Sequence, residues 1–172
     1  MSQHIPTPVK PARIEMVFPN HATIVRYLIQ FPLFDGVTAP ELALAVNLMS
    51  IFNISAGKTL FREGDSGDYM CFIVEGKLDV LRKNQTKNEV YIATLHPGHC
   101  LGEFALIDES PRSATVVAQT DCVLVSLSRL DFELLLQKYP NTGITLLKGI
   151  ARLLSLDLRQ TSQQLANYLE PA

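Results

Sequence analysis

The sequence predicts a single, mainly β domain, a compact antiparallel roll or barrel with helices before and after it. The first sign is a change of pattern near residue 51. Short apolar runs begin there (IFNI, KTLF, YMCFIV, KLDVL, VYIATL, ATVVA and CVLVSL), punctuated by Gly, Asp, Asn and Pro. Runs of this length, rich in Val and Ile and bounded by turn residues, are strands, and several of them in succession close into a roll or barrel. The second sign is that the apolar spacing becomes helical on both sides of this stretch. The third is length: 172 residues suffice for one domain with a sizeable core and flanking helices, but not for two full domains.

In chain order, residues 1–21 read as a flexible, proline-bearing N-terminal arm. Residues 22–50 hold two helices. ATIVRYLIQ forms one, and Pro32 stops its continuation. Thr38-Ala-Pro-Glu41 announces the next, with Thr38 as cap and Pro40 in the first turn; it carries Leu42, Ala45, Val46 and Met49 on one side. Residues 51–127 make the roll, where Gly76 suits a tight hairpin and residues 84–88 a longer, exposed one. Residues 128–172 return to helix. SRLDFELLLQKYP starts on a Ser128 cap with Asp131 in its first turn and is ended by Pro140; a last helix runs from about residue 142 to 169.

Fifteen basic residues against seventeen acidic ones leave a net charge of −2, so no global field draws the chain to nucleic acid or to an anionic membrane. Any anion it binds must be caught locally. Cys71, Cys100 and Cys122 sit in or beside apolar runs without metal-type spacing and read as reduced packing residues. The arm has no sustained apolar stretch, so it is neither a secretory signal nor a membrane span, and a cytoplasmic location is expected.

The chemistry lies in HPGHCLGEFALIDESPRSAT, residues 96–115, between two strand-like runs. A cyclic phosphate diester with a free ribose hydroxyl needs one cation of fixed donor geometry, which an arginine fork supplies; Arg112 is the candidate. It also needs backbone N–H donors, which a single helical turn offers at its start. Gly102-Glu-Phe-Ala-Leu106 can form that turn, with Gly102 permitting close backbone approach and Ala105 leaving room. Glu103 supplies an acceptor for the 2′-hydroxyl, and Ser113 a hydroxyl donor for the phosphate. The plainer alternative pairs Arg112 with Asp108 or Glu109 at the surface.

GEFALIDESPRSAT resembles the phosphate-binding cassette of the cyclic nucleotide-binding domain family, G-E-[LF]-A-L, a short loop, then P-R-x-A-[TS]. Every fixed position is filled, and Glu103 and Arg112 stand nine residues apart, as is usual there. FREGDSGDYMCFIVEGKLDVL is similar to the family's strand-turn-strand opening. The resemblance implies an eight-stranded, jelly-roll-like β-roll with N-terminal helices and two C-terminal ones, a hinge or lid helix and a dimer helix. It implies that Gly102, Glu103, Phe104, Ala105, Arg112, Ser113 and Ala114 line the sugar-phosphate site, and that Val80 and Ile92 pack against the base. The ligand would be cyclic AMP or cyclic GMP, with no further cofactor, no metal and no catalytic residues. Ser113, where guanine-selective kinase domains often carry Thr, places cyclic AMP ahead.

On the last helix, Leu147, Ala151, Leu154, Leu158, Thr161, Leu165 and Tyr168 form one stripe in alternating steps of four and three, a coiled-coil-like seam. Leu146, Ile150 and Leu153 form a neighbouring stripe suited to the roll, whereas Leu156 falls on the wet side with Lys148, Arg152, Arg159 and Gln163. Two stripes predict a parallel homodimer through this helix. Asp157 lies between them, where the family's helix covers the base; its carboxylate can accept from adenine's amine or guanine's N1–H and N2–H. Activators usually have Thr-Ser where this chain has Asp157-Leu158, so base choice stays open at this residue.

Three rival readings remain. His96, His99 and Glu103 invite a cupin-like metal enzyme, but Pro97-Gly98 put a turn between the histidines. A DNA-binding regulator would need a helix-turn-helix for which no room is left before Ala172. An interaction module that keeps the fold without its ligand is the third. The leading expectation is a non-catalytic sensor that signals by moving its C-terminal helices toward an effector protein the sequence does not name.

Overall fold

A computed structural model of the chain describes residues 15–16, 21–108 and 110–169. Nine strands lie among these residues. One sheet has the order β1 (Glu15–Met16), β2 (Met49–Ile54), β9 (Cys122–Ser128), β4 (Tyr69–Glu75), β7 (Cys100–Leu101); the other has the order β3 (Thr59–Phe61), β8 (Thr115–Ala118), β5 (Leu78–Lys83), β6 (Glu89–Leu95). The pairs are antiparallel. Strands β2 to β9 are the eight of the roll. Within the N-terminal arm, Glu15 and Met16 pair with Asn53 and Phe52; the rest of the arm up to residue 20 lies outside the described residues.

The continuous apolar character of YMCFIV has a direct cause. Alternate residues of a strand point to opposite faces, and β4 is covered on both. Met70, Phe72 and Val74 meet the helical layer, whereas Cys71 and Ile73 face the interior of the roll. The same division puts Val125 and Leu127 of β9 outward and Cys122 and Leu124 inward. Two cores result, one between the sheets and one between the first sheet and the helices. Phe72 centres the second, with Phe31 edge-on at 5.5 Å and Phe34 at 5.4 Å; such aromatic pairs add roughly 0.5–1.5 kcal/mol each beyond the area they bury.

The helices follow most of their sequence signals, but Met49, expected on the second helix, instead opens β2 opposite Leu127. Helix α1 (His21–Leu28) is followed by a 3₁₀ turn at Pro32–Phe34. In α2 (Ala39–Val46), the Glu41 carboxylate accepts from the Thr38 amide and hydroxyl at 2.9 and 2.7 Å. Beyond the roll, the Asp131 amide donates to the Ser128 hydroxyl oxygen at 3.0 Å and starts α4 (Arg129–Lys138). Pro140 both ends α4 and opens α5 (Pro140–Leu169), two residues earlier than expected, because proline lacks an N–H that a first turn would not use.

Two further expectations are corrected. Gly76 does not turn a hairpin: β4 and β5 lie in different sheets, so the chain crosses from one layer to the other there. Gly76 has φ 87°, and a Cβ on it would lie 2.3 Å from the Asp121 carbonyl oxygen, so a side chain is excluded. The hairpin at residues 84–88 does form between β5 and β6, with the Asn84 carboxamide oxygen accepting from the Thr86 and Asn88 amides. On α5, Leu154 is half-buried against the helical core rather than free in the seam, whereas Leu156 is exposed as expected and borders a cavity at the Phe31–Leu33 turn. Leu146 and Ile150 are fully buried, as their stripe required, while Leu147, Leu158, Leu165 and Tyr168 are exposed.

Helix α5 reaches the 3₁₀ turn through Gly149, where a Cβ would lie 2.5 Å from the Leu33 carbonyl oxygen. A Gly149→Leu substitution is expected to push α5 off the turn and destabilise the domain by about 1–3 kcal/mol, read as a lowered melting temperature in circular dichroism.

Candidate functional site

The two short motifs singled out in the sequence meet in space through their backbones. The Arg112 amide donates to the Asp65 carbonyl at 2.8 Å, and the Gly64 amide donates to the Arg112 carbonyl at 2.9 Å. Asp65 returns on its own strap, its carboxylate accepting from the Arg62 amide at 2.8 Å, and the Glu63 amide donates to the Thr115 hydroxyl oxygen at 3.0 Å. FREGD therefore acts as a splint along PRSAT. On the other side, the chain leaves β7, turns at Gly102 with φ 76°, and enters the single-turn helix α3 (Phe104–Ile107). A Cβ on Gly102 would lie 2.4 Å from a terminal nitrogen of Arg112, so only glycine lets the guanidinium pack here.

Splint, turn and α3 enclose a cavity of about 90 Å³ lined by Gly102, Glu103, Phe104, Ala105, Arg112, Ser113 and Ala114, together with Phe61, Ser110, Pro111 and Val116. Glu103 and Arg112 are the two charged side chains that are buried among the described residues, at 8% and 6% exposure. None of the three guanidinium nitrogens of Arg112 has a hydrogen-bond partner among those residues. Instead its carbon sits 4.1 Å from the centroid of the Phe61 ring and 4.5 Å from that of Tyr69. The surface pairing with Asp108 is not formed: the Asp108 carboxylate accepts from the Ser110 amide, and Glu109 lies outside the described residues.

Burial pushes the Glu103 carboxyl above its ordinary pKa, opposed by its own amide; the Asp157 charge raises it further and the Arg112 charge lowers it. Burial also pushes the Tyr69 hydroxyl and the Cys71 and Cys100 thiols up to about 12, which leaves both thiols un-ionised packing groups. In α3, the Ala105 and Leu106 amides already donate to the Gly102 and Glu103 carbonyls. The Phe104 side chain, at 48% exposure, turns outward.

Three of the residues named for the base stand apart from this cavity. Val80 pairs with Ala93 and with Val116, whose side chain does line it. Ile92 is the extra residue of a β-bulge between the Val80–Ala93 and Leu81–Tyr91 pairs, and is 54% exposed. Asp157 borders a second, larger cavity of about 540 Å³ between the 3₁₀ turn, the segment 97–100 and α5. Its charge is nevertheless felt at Glu103 and Cys100. The His99 ring nitrogen Nδ1 bonds to the His96 carbonyl at 3.0 Å, and no three His, Cys, Asp or Glu residues cluster as metal ligands among the described residues.

One residue of the site escaped the sequence reading. Arg129, the first residue of α4, donates to the carbonyls of Ala105 and Asp108 at 2.6 Å and of Gly67 at 3.2 Å, while its amide donates to the Asp68 carbonyl at 2.7 Å. It ties the end of α3 and the 65–68 loop to the C-terminal helices. A signal was available: a cation in the first turn of a helix opposes the helix dipole, so an arginine there is held by something else.

The model of the family described as "Cyclic nucleotide-binding domain" matches residues 51–139, just over half of the chain. A cAMP-dependent protein kinase regulatory subunit of Eremothecium gossypii is 38% identical over 104 residues, 60% of this chain and 22% of that protein. The cyclic AMP receptor protein of Thermus thermophilus is 33% identical over 134 residues, 78% of this chain and 60% of that protein. The chain thus spans between about a fifth and three-fifths of these relatives' lengths. A crystal structure of a cyclic nucleotide-binding domain from Methylobacillus flagellatus superposes with a TM-score of 0.82 over 92% of this chain and 90% of that one, at 22% identity, a likeness of fold. The chain belongs to the cyclic nucleotide-binding domain family.

Proposed function

We propose that the chain senses a cyclic nucleotide, cyclic AMP ahead of cyclic GMP, and reports its presence through the C-terminal helices. The observation that carries this reading is Arg112: a buried guanidinium with three nitrogens lacking acceptors, in the wall of a cavity, is a site waiting for an anion. Leaving such a charge unpaired in the interior costs several kcal/mol, and a phosphate that supplies acceptors to the fork recovers that cost. Glu103, buried in the same cavity wall, is an acceptor suited to a ribose hydroxyl.

Charge also favours a cyclic diester over a monoester. The cavity offers one cation, Arg112, against the Glu103 carboxylate, with the Asp157 charge close enough to act on Glu103. A diester carries one negative charge; a monoester carries nearly two at pH 7.5, and the second finds a carboxylate rather than a cation. The base would lie beyond Glu103 toward α5, with Asp157 accepting from its amine, and closure of α5 over it would shift the helix between two positions. The exposed stripe of Leu147, Leu158, Leu165 and Tyr168 suits a parallel homodimer, and the signal would pass to a protein effector. Among the described residues no helix is long and apolar enough to cross a membrane. The reading is of a regulator in the cytoplasm that neither catalyses nor holds a metal. The ligand-free interaction module has no comparable use for a buried, unpaired Arg112.

Calorimetric titration tests the reading directly. Cyclic AMP should bind to nucleotide-free protein, 5′-AMP should bind at least tenfold more weakly, and Arg112→Ala should cost about 2–5 kcal/mol of binding free energy. Absence of heat with both cyclic nucleotides would end the proposal. Glu103 gives a pH test. Its folded-state pKa is raised, so the folded protein holds that proton more tightly than the unfolded chain, and stability falls as pH rises upward from the ordinary value of 4.5. In urea unfolding of the ligand-free protein, Glu103→Gln should remove that slope and weaken nucleotide binding. For the dimer, Leu158→Lys with Leu165→Lys should turn a sedimenting dimer into a monomer; a wild-type monomer would refute the seam.

A further inference from the structure

The Arg112 guanidinium is held in place with none of its N–H groups hydrogen-bonded among the described residues. Its guanidinium lies between two aromatic rings, Phe61 at 4.1 Å and Tyr69 at 4.5 Å from carbon to centroid. Two glycines flank it. A Cβ on Gly67 would lie 2.6 Å from Nε and 2.9 Å from the guanidinium carbon, and one on Gly102 would lie 2.4 Å from a terminal nitrogen. We propose that Tyr69 and Phe61 are the positioning residues of the anion-binding arginine, an aromatic cradle that keeps the cation buried and oriented while leaving its N–H groups for the ligand. This rests on the nucleotide reading of the cavity.

The physical argument is one of competition. A long arginine side chain has many rotamers, and ordering it at the moment of binding costs affinity. Most proteins order a buried arginine with a carboxylate, which occupies the fork's donors; an incoming phosphate would have to displace that internal counter-ion. Aromatic rings attract the cation through their faces and accept none of its in-plane donors. Phe61 and Tyr69 therefore lower the cost of burying the charge without providing a rival for the phosphate. Phe61 belongs to FREGD, whose backbone splints Arg112, and Tyr69 opens β4 opposite Ser128, so both rings ride on elements already fixed against the cavity. Gly67 completes the cradle because any side chain there would evict the guanidinium.

The experiment has a ligand-free arm and a ligand arm. In protein labelled with ¹⁵N-arginine, the Arg112 Nε–H resonance should be shifted upfield by the rings. Tyr69→Phe should keep that shift, Tyr69→Leu should lose much of it, and Gly67→Ala, which leaves both rings intact, should also move it. An Arg112 resonance that is unchanged in both Tyr69→Leu and Gly67→Ala overturns the cradle whether or not nucleotide binds. In calorimetry with cyclic AMP, Tyr69→Phe should bind within twofold of wild type, whereas Tyr69→Leu should bind roughly three- to thirtyfold more weakly. Equal losses in Tyr69→Phe and Tyr69→Leu, or an unchanged affinity in Tyr69→Leu, would refute the positioning role. Should Tyr69→Leu fail to fold, Gly67→Ala carries the affinity test, and unaltered binding there refutes it equally. If wild type binds neither cyclic AMP nor cyclic GMP, the nucleotide reading fails and the resonance alone decides the cradle.

Discussion

A charge buried without a counter-ion sets the terms for everything around it. Arg112 is 6% exposed and its guanidinium nitrogens have no acceptor among the described residues, a state that costs several kcal/mol unless the surroundings compensate. Much of the neighbourhood does so while keeping the donors free. Aromatic faces from Phe61 and Tyr69 attract the cation, the carbonyl of Asp65 and the amide of Gly64 pin its backbone, and glycines at 67 and 102 make the space. The site borders the core between the sheets: Phe61 and Tyr69 pack against that core, and its member Val116 lines the cavity.

The carboxylate beside it follows the same logic with the opposite sign. Glu103 is buried at the start of α3, and burial raises its pKa. A fold optimised for stability alone would replace both groups with apolar ones. As the two buried charges among the described residues, they are the place where the interior departs from apolar packing. Arg129 then links this place to the rest of the chain: one guanidinium at the start of α4 grips the carbonyls of α3 and of the 65–68 loop. The cassette and the helices that follow are thereby joined through one side chain.

Much of the fold is legible in the sequence. The strand runs read from periodicity correspond to β2, β3, β4, β5, β6, β8 and β9, because a strand's alternation or double-sided burial is written directly in its residues. Caps at Thr38 and Ser128 were equally readable, since a cap is a contact between residues three apart. What escaped were features with no local signature. The two-residue strands β1 and β7 are too short to show a period. The Gly76 turn looks like a hairpin in sequence, yet whether it joins neighbours or crosses between layers depends on which strands β4 and β5 find as partners. Leu154 left the seam for the helical core because a helical wheel ranks faces without knowing where the 3₁₀ turn will sit.

The fold class, the family and the pairing of Glu103 with Arg112 in one motif are written in the sequence. Each rests on residues close together along the chain: the nine-residue span from Glu103 to Arg112, the glycine before it, and the punctuation of the strands. The tertiary structure decided what that pair experiences. That Arg112 is sealed and unpaired, that Tyr69 from 43 positions away faces its guanidinium, that Arg129 clamps α3, and that Asp157 acts on Glu103 while bordering a different cavity are all outcomes of packing between segments remote in sequence. Burial and electrostatic environment are properties of the assembled interior, and no local pattern encodes them.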